Sequence, residues 1–332
     1  MNITIDNFEY GQCTCFADIF ANTLPYYAPD TTFTLDMSAE SHIIIDINGK
    51  CLFASIHAFM NKHNIPADQF TYITGNFKCK ESYILWREMH GITNIKFNIS
   101  VYPACSSSIN TIAISDVNAD IFRSYKYTNL NNEPYMHRVD IMNFLHETDL
   151  LKYGMNSFHQ NHHLLNWNLS KRIPIIIDAQ GPNSHGQDQN HLFKNSYFSI
   201  ITESVFGRAA HLTKLQNFEI EPWEAWWREG HVTEKTFKAF FHLHPFIMVG
   251  AAGSLAFVKS LGFETFNTII DESYDDIIDP NERMLAVQKE IKNLCALTLS
   301  QLHAAYLSCI PTLLHNQKLY LTCVKDGFVI NL

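Results

Sequence analysis

The chain has 332 residues, 46% of them hydrophobic and 17% charged, with a formal net charge of −9. That length supports two cores but not obviously three, and no run approaches the roughly 18 apolar residues of a membrane helix. Residues 1–120 hold 12 Asp+Glu against 6 Lys+Arg, a net of −6, which argues against the basic face that grips a nucleic-acid duplex.

The first ten residues lack the basic-then-apolar pattern of a signal peptide, so the expectation is a cytoplasmic protein, in the producing or infected cell. Cysteines 13, 15, 51, 79, 105, 295, 309 and 323 form no C-x-x-C pair, and reduced thiols are expected. From residue 42 the pattern alternates. An apolar run at 42–47 is followed by an amphipathic stretch at 52–61, a second run at 70–74, a helical stretch at 81–90 and a third run at 95–99. Strands separated by helices of about ten residues imply βαβ units and a parallel sheet. The sequence turns polar over 103–132, and the boundary between the two domains is expected between 105 and 125, giving an N-terminal domain over 1–120 and a C-terminal one over 121–332.

In the second half, the pattern predicts a strand at 123–128, a helix at 136–145, a short helical piece at 149–153 ending at Gly154, and a strand at 197–202. A loop with Trp223, Trp226 and Trp227 leads to Gly230-His-Val-Thr-Glu-Lys-Thr-Phe-Lys238, then to the apolar run Pro245-Phe-Ile-Met-Val-Gly250 and the turn Gly250-Ala-Ala-Gly-Ser254. The tail reads as helical from about 280 to 307, with Pro280 suited to the first turn and Met284, Val287, Ile291, Leu294 and Leu297 at helical spacing.

Thr233, Glu234, Lys235 and Lys238 open a predicted helix that faces the C-terminal ends of the strands, where free N–H groups and the positive end of the dipole favour phosphate. Glu234 can accept from two sugar hydroxyls while Lys235 meets a phosphate, although such a first turn also suits plain solvation. Thr202 and Glu203 end the preceding strand beside the same crevice, and His137 and Arg138 open the helix after the second domain's first strand, where Arg138 offers a forked contact to a diphosphate. Gly250-x-x-Gly253 lacks the full dinucleotide fingerprint. Histidines 159, 162, 163, 185 and 191 are numerous but match no zinc spacing, and no metal is assigned; a metal-dependent hydrolase built on them is a third possibility. The acidic run 271–276 suits a hard cation or, more simply, a solvated loop.

Three pieces in order carry a resemblance: Met136-His-Arg-Val-Asp-Ile-Met-Asn-Phe-Leu145 with Leu150-Leu-x-x-Gly154-x-x-Ser157, then Tyr197-Phe-Ser-Ile-Ile-Thr-Glu203, then Val232-Thr-Glu-Lys-Thr-Phe-Lys238 through Gly250 and on to Asp275. Over residues 120–285 the chain resembles the donor half of glycosyltransferases of phages, giant viruses and some bacteria, and its Thr-Glu-Lys element is similar to the (S/T)-E-K of GT-B fucosyltransferases. The resemblance implies an α/β fold of two Rossmann-like domains facing a central cleft. It also implies a nucleotide-sugar co-substrate on the second domain and no obligatory metal. Glu234 would match the ribose-binding glutamate, Lys235 the lysine near the diphosphate and Arg138 the arginine of the His-Arg element. Asn131-Asn-Glu-Pro134 stands where that family has basic residues. The front domain matches no motif; Asp46 and His57 are its candidate bases, and its charge favours a glycan or small-molecule acceptor over DNA. A catalytically idle nucleotide- or glycan-binding protein is the alternative.

Overall fold

A computed structural model describes residues 2–6, 30–37, 51–93, 97–101, 121–131, 135–158, 190–207 and 227–326. The chain forms two compact units, Met1–Ala104 with Arg208–His231 and Val329–Leu332, and Cys105–Gly207 with Val232–Phe328. The division is therefore not one cut between 105 and 125, because the chain leaves the second unit after Gly207 and re-enters it at Val232.

The first unit carries a parallel sheet of β1 (Asn2–Asp6), β2 (Thr32–Met37), β3 (Phe70–Thr74) and β4 (Asn98–Val101), in that spatial order. Helices α1 (Leu52–His63) and α2 (Cys79–Met89) belong to the same unit. In β3 the alternation of Phe70, Tyr72 and Thr74 with half-buried Thr71 and Ile73 sends every second side chain inward, the period of a pleated strand. Phe33, Leu35, Phe53, Ile56, Phe59, Phe70, Tyr72, Tyr83, Trp86 and Phe97 form its core, and Trp227 joins them. Helix α1 ends where Asn64 turns left-handed at φ 53°, a conformation in which Asn is enriched among non-glycine residues. The apolar run 42–47 lies outside the described residues; β2 comes instead from Thr-Phe-Thr-Leu-Asp-Met, whose alternation is diluted by threonine.

The second unit holds β5 (Tyr125–Asn131), α3 (Met136–Glu147), β6 (Gly154–Phe158), α4 (Asn190–Asn195), β7 (Ser196–Thr202), α5 (Glu234–Phe241), β8 (Phe246–Val249) and α6 (Ser254–Ser260). Its four strands are all parallel, in the order β6-β5-β7-β8. Strands β7 and β8 are buried along their whole length, as parallel strands covered on both faces should be. Both units are thus Rossmann-like α/β layers of parallel strands with helices.

The tail is helical, as expected, and divides into three helices: α7 (Pro280–Ala296), α8 (Leu299–Ser308) and α9 (Ile310–Asp326). Thr298 breaks the run, because its side chain accepts from the N–H of Gln301 while Gln301 reaches back to the N–H of Thr298, a reciprocal cap that starts a new helix. Among the described residues no helix is long and apolar enough to cross a membrane.

Candidate functional site

The strand order of the second unit reverses at β5, since the chain moves from β5 outward to β6 and then returns to β7 on the other side. Open parallel sheets bind ligands outside the carboxyl ends of the strands at such a reversal. The described strands of the first unit run in sequence order and have none. Asn131 ends β5 and Thr202 ends β7, so the expected site residues of the second unit converge on this edge.

Thr233 is the N-cap of α5, and its hydroxyl accepts from the N–H of Lys235 at 3.4 Å. Glu234 and Lys235 fill the first turn with the Lys235 Nζ 3.1 Å from Glu234 Oε1, and their side chains keep 17% and 27% of their surface exposed. The same Nζ donates to Thr233 Oγ1 at 3.2 Å. Lys238 lies one turn further along, half-buried. Among the described residues, these three side chains at the start of α5 are only partly buried.

Glu203 is fully buried, and its side-chain oxygens accept from the N–H of Thr233 at 3.1 Å, from the Thr233 hydroxyl, and from the Thr236 hydroxyl at 2.6 Å. Burying a carboxyl group without such donors costs several kcal/mol (~2 or more), which explains why three converge on it. The Thr202 hydroxyl likewise donates to Asn131 Oδ1, and the Asn131 amide donates to Asn129 Oδ1 at 2.8 Å. Thr202, Glu203 and Thr233 therefore spend their polar side chains inside the protein rather than toward a ligand.

The His137 Nε2 lies 2.8 Å from the Glu203 carbonyl, which can only accept, so this nitrogen carries the proton. Burial, then the charges of Arg138 and Lys235, pull the His137 pKa down to about 3. The Arg138 guanidinium is buried, donates to the carbonyls of Thr202 at 3.2 Å and Glu203 at 3.4 Å, and lies 4.6 Å above the Tyr135 ring. Both of these bonds come from one guanidinium nitrogen, Nη2, which thereby faces backbone carbonyls. Its charge still acts from behind the edge, since the electrostatic effect of both Arg138 and Lys235 reaches His137.

The turn after β8 is closed in a different way. The Asp275 side chain accepts from the N–H groups of Leu255 and Ala256, both at 3.0 Å, so the start of α6 is occupied by the chain's own acid. Within the acidic run 271–276, residues Glu272–Asp276 form a 3-10 turn in which Tyr274 and Asp275 are buried while Asp271, Ser273 and Asp276 stay exposed. A Cβ on Gly250 would stand 3.0 Å from Ser254 Oγ, and the Gly250 carbonyl accepts from Arg283 Nε at 3.2 Å. Arg283 also donates to the carbonyls of Ile277 at 2.6 Å, Ile278 at 3.1 Å and Phe206. The sequence reasoning missed Arg283; its signal was an arginine in the first turn of a helix that starts Asp-Pro-Asn-Glu.

In the first unit, His57 lies on the inner face of α1 at 5% exposure, with Nε2 2.8 Å from the Tyr83 hydroxyl and its ring 5.1 Å from that of Trp86. Burial, then the charge of Arg87, lowers its pKa to about 4. It is a core residue there. Asp46, Trp223, Trp226 and the histidines at 159, 162, 163 and 185 lie outside the described residues. Among the described residues no three His, Cys, Asp or Glu side chains gather to hold a metal ion.

No protein-family model, curated protein or solved structure matches this chain.

Proposed function

We propose that the chain is a glycosyltransferase of the GT-B type, a hexosyltransferase, moving a sugar from a nucleotide-sugar donor to a hydroxyl acceptor without an obligatory metal. The observation that carries the reading is the Glu234–Lys235 pair at the start of α5, beside the reversal of a parallel sheet. In the absence of ligand the two side chains neutralise one another. A ribose or sugar diol would take over the Glu234 oxygens as acceptors, and Lys235, with Lys238 behind it, would turn to the diphosphate. The fixed positive charge of Arg138 and the helix dipole would favour the departing nucleotide, whose negative charge grows as the glycosidic bond breaks. The acceptor is a glycan or small molecule rather than DNA, because the front third of the sequence is acidic.

The test is a thermal-shift screen of nucleotide sugars, in which a bound donor adds stability by mass action. A midpoint that rises for one nucleotide series supports the reading; no rise with any nucleotide or nucleotide sugar overturns it. A second reading, a catalytically idle nucleotide- or glycan-binding protein, is favoured by the burial of His57, one of two candidate bases, in the core of its unit. Slow hydrolysis of the donor without acceptor would exclude it.

A further inference from the structure

The site elements of the second unit are spread over a long stretch of chain, with His137 and Arg138 in α3 and Glu234 and Lys235 in α5. Glu203 touches both helices. The backbone of Glu203 is fixed on three sides, its N–H donating to the Val249 carbonyl at 3.0 Å and its carbonyl accepting from His137 Nε2 at 2.8 Å and from Arg138 at 3.4 Å. Its side chain then reaches the other way and accepts from the N-cap Thr233 twice and from Thr236 once.

We infer that Glu203 is a positioning residue, whose fully buried side chain clasps Thr233 and Thr236 and thereby sets the first turn of α5, with Glu234 and Lys235, relative to the His137–Arg138 end of α3. This rests on the reading of Glu234–Lys235 as the donor contact and assigns Glu203 a role at that site other than touching the ligand. The physical need is clear from the shortness of α5, which spans 8 residues. A helix that short has little stability of its own, so its first turn holds a fixed geometry only where tertiary contacts impose it. Three hydrogen bonds to one buried acid do so at the turn whose side chains must meet a ligand to within a fraction of an ångström.

The chemistry also explains why an acid and two threonines stand there. An acid with two oxygens is the one small side chain that can take a backbone N–H and two hydroxyls at once. Glu203 comes directly after Thr202, the last residue of β7, and its N–H continues the pairing with β8. The clasp is therefore mounted where two buried strands of the sheet pair.

Two measurements on Thr236→Val, Thr236→Ser and Glu203→Gln test this. Hydrogen exchange of the amides in residues 234–238 should speed up by about tenfold in Thr236→Val and return toward wild type in Thr236→Ser, with the amides of β7 and β8 unchanged. Calorimetry with UDP and GDP should show affinity falling by about tenfold in Thr236→Val and recovering in Thr236→Ser, a pattern that a loss of global stability alone does not produce. Glu203→Gln should match or exceed Thr236→Val in both; should it fail to fold, the threonine pair decides. Unchanged exchange in Thr236→Val, or faster exchange with undiminished affinity, overturns the inference. A wild type that binds neither nucleotide but shows the exchange pattern removes the donor-site reading and leaves Glu203 as the anchor of a short helix only, which also overturns the positioning role.

Discussion

The side chain of Asp275 accepts from the N–H of Leu255 at 3.0 Å, which closes the start of α6 from within the chain. Together with the clasp of Glu203 on Thr233, it means that two helix starts at this sheet edge meet acids of the protein itself. Replacing Asp275 by Ala leaves the N–H groups of Leu255 and Ala256 without their acceptor. The expected loss is about 1–2 kcal/mol, as for other helix caps. A urea midpoint that drops with an unchanged slope would register it.

Glu234 and Lys235 are partly exposed, and an exposed ion pair contributes little to folding, at most about 1 kcal/mol. Glu234→Ala and Lys235→Ala are therefore expected to melt within a few degrees of wild type. Each should weaken nucleotide-sugar binding by about tenfold or more, because a charge-assisted contact to the ligand is lost. Calorimetry on folded variants checks both halves, and unchanged affinity in Glu234→Ala would count against the donor site.

Arg283 gives four backbone carbonyls their donor, at Gly250, Ile277, Ile278 and Phe206. Arg283→Met keeps the aliphatic bulk but strips these carbonyls, with an expected cost of about 3 kcal/mol. Lysine should not restore it, since one ammonium cannot spread donors over a planar fork. Denaturant unfolding of both variants provides the comparison.

Three buried histidines give the fold a pH dependence with a definite sign. Burial first, then the charges of neighbouring arginines, lowers the pKa of His137 to about 3 and of His57 to about 4, and sets His244 well below its usual value. In the unfolded chain each titrates near 6.5, so below about pH 6.5 the unfolded state binds more protons than the folded one. The stability that these groups allow is complete above that pH and is lost as the pH falls toward 4. Thermal unfolding near pH 5.5 should take up about two to three protons, seen as a dependence of the apparent enthalpy on buffer ionisation heat. No buffer dependence would show that these rings are not neutral in the folded state.

Much of the fold was legible wherever local pattern and tertiary burial agree. The run at 70–74 is β3, the stretch at 52–61 lies within α1, and Tyr197 to Thr202 forms nearly all of β7, because alternation or a dense apolar run leaves one way to hide the side chains. Strand β6 was not legible. No strand is expected there from pattern, since Asn156 and Ser157 are polar, yet both are buried, and Ser157 accepts from the N–H of Asn131 at 3.2 Å. Polar side chains enter a sheet when a neighbouring strand supplies their partners, and that neighbour is distant in sequence. The break inside the helical tail has a local cause, for the reciprocal Thr298–Gln301 cap outweighs the continuing apolar spacing.

The candidate site divides along the same line. The sequence alone determined that a helix begins at Thr-Glu-Lys and that an acid and a lysine occupy its first turn, since capping and dipole effects act within a few residues; the structure sets Thr233 just outside it as the N-cap. Only the tertiary structure decided which groups remain for a ligand. Glu203 lies 30 residues before Thr233, and Asp275 lies 20 beyond Leu255, so their hydrogen bonds exist only once the sheet has brought the chain back on itself. The same folding turned Arg138 inward onto backbone carbonyls and left Glu234 and Lys235 facing outward, because a buried donor must find an acceptor nearby while a partly exposed ion pair can wait for one in solution.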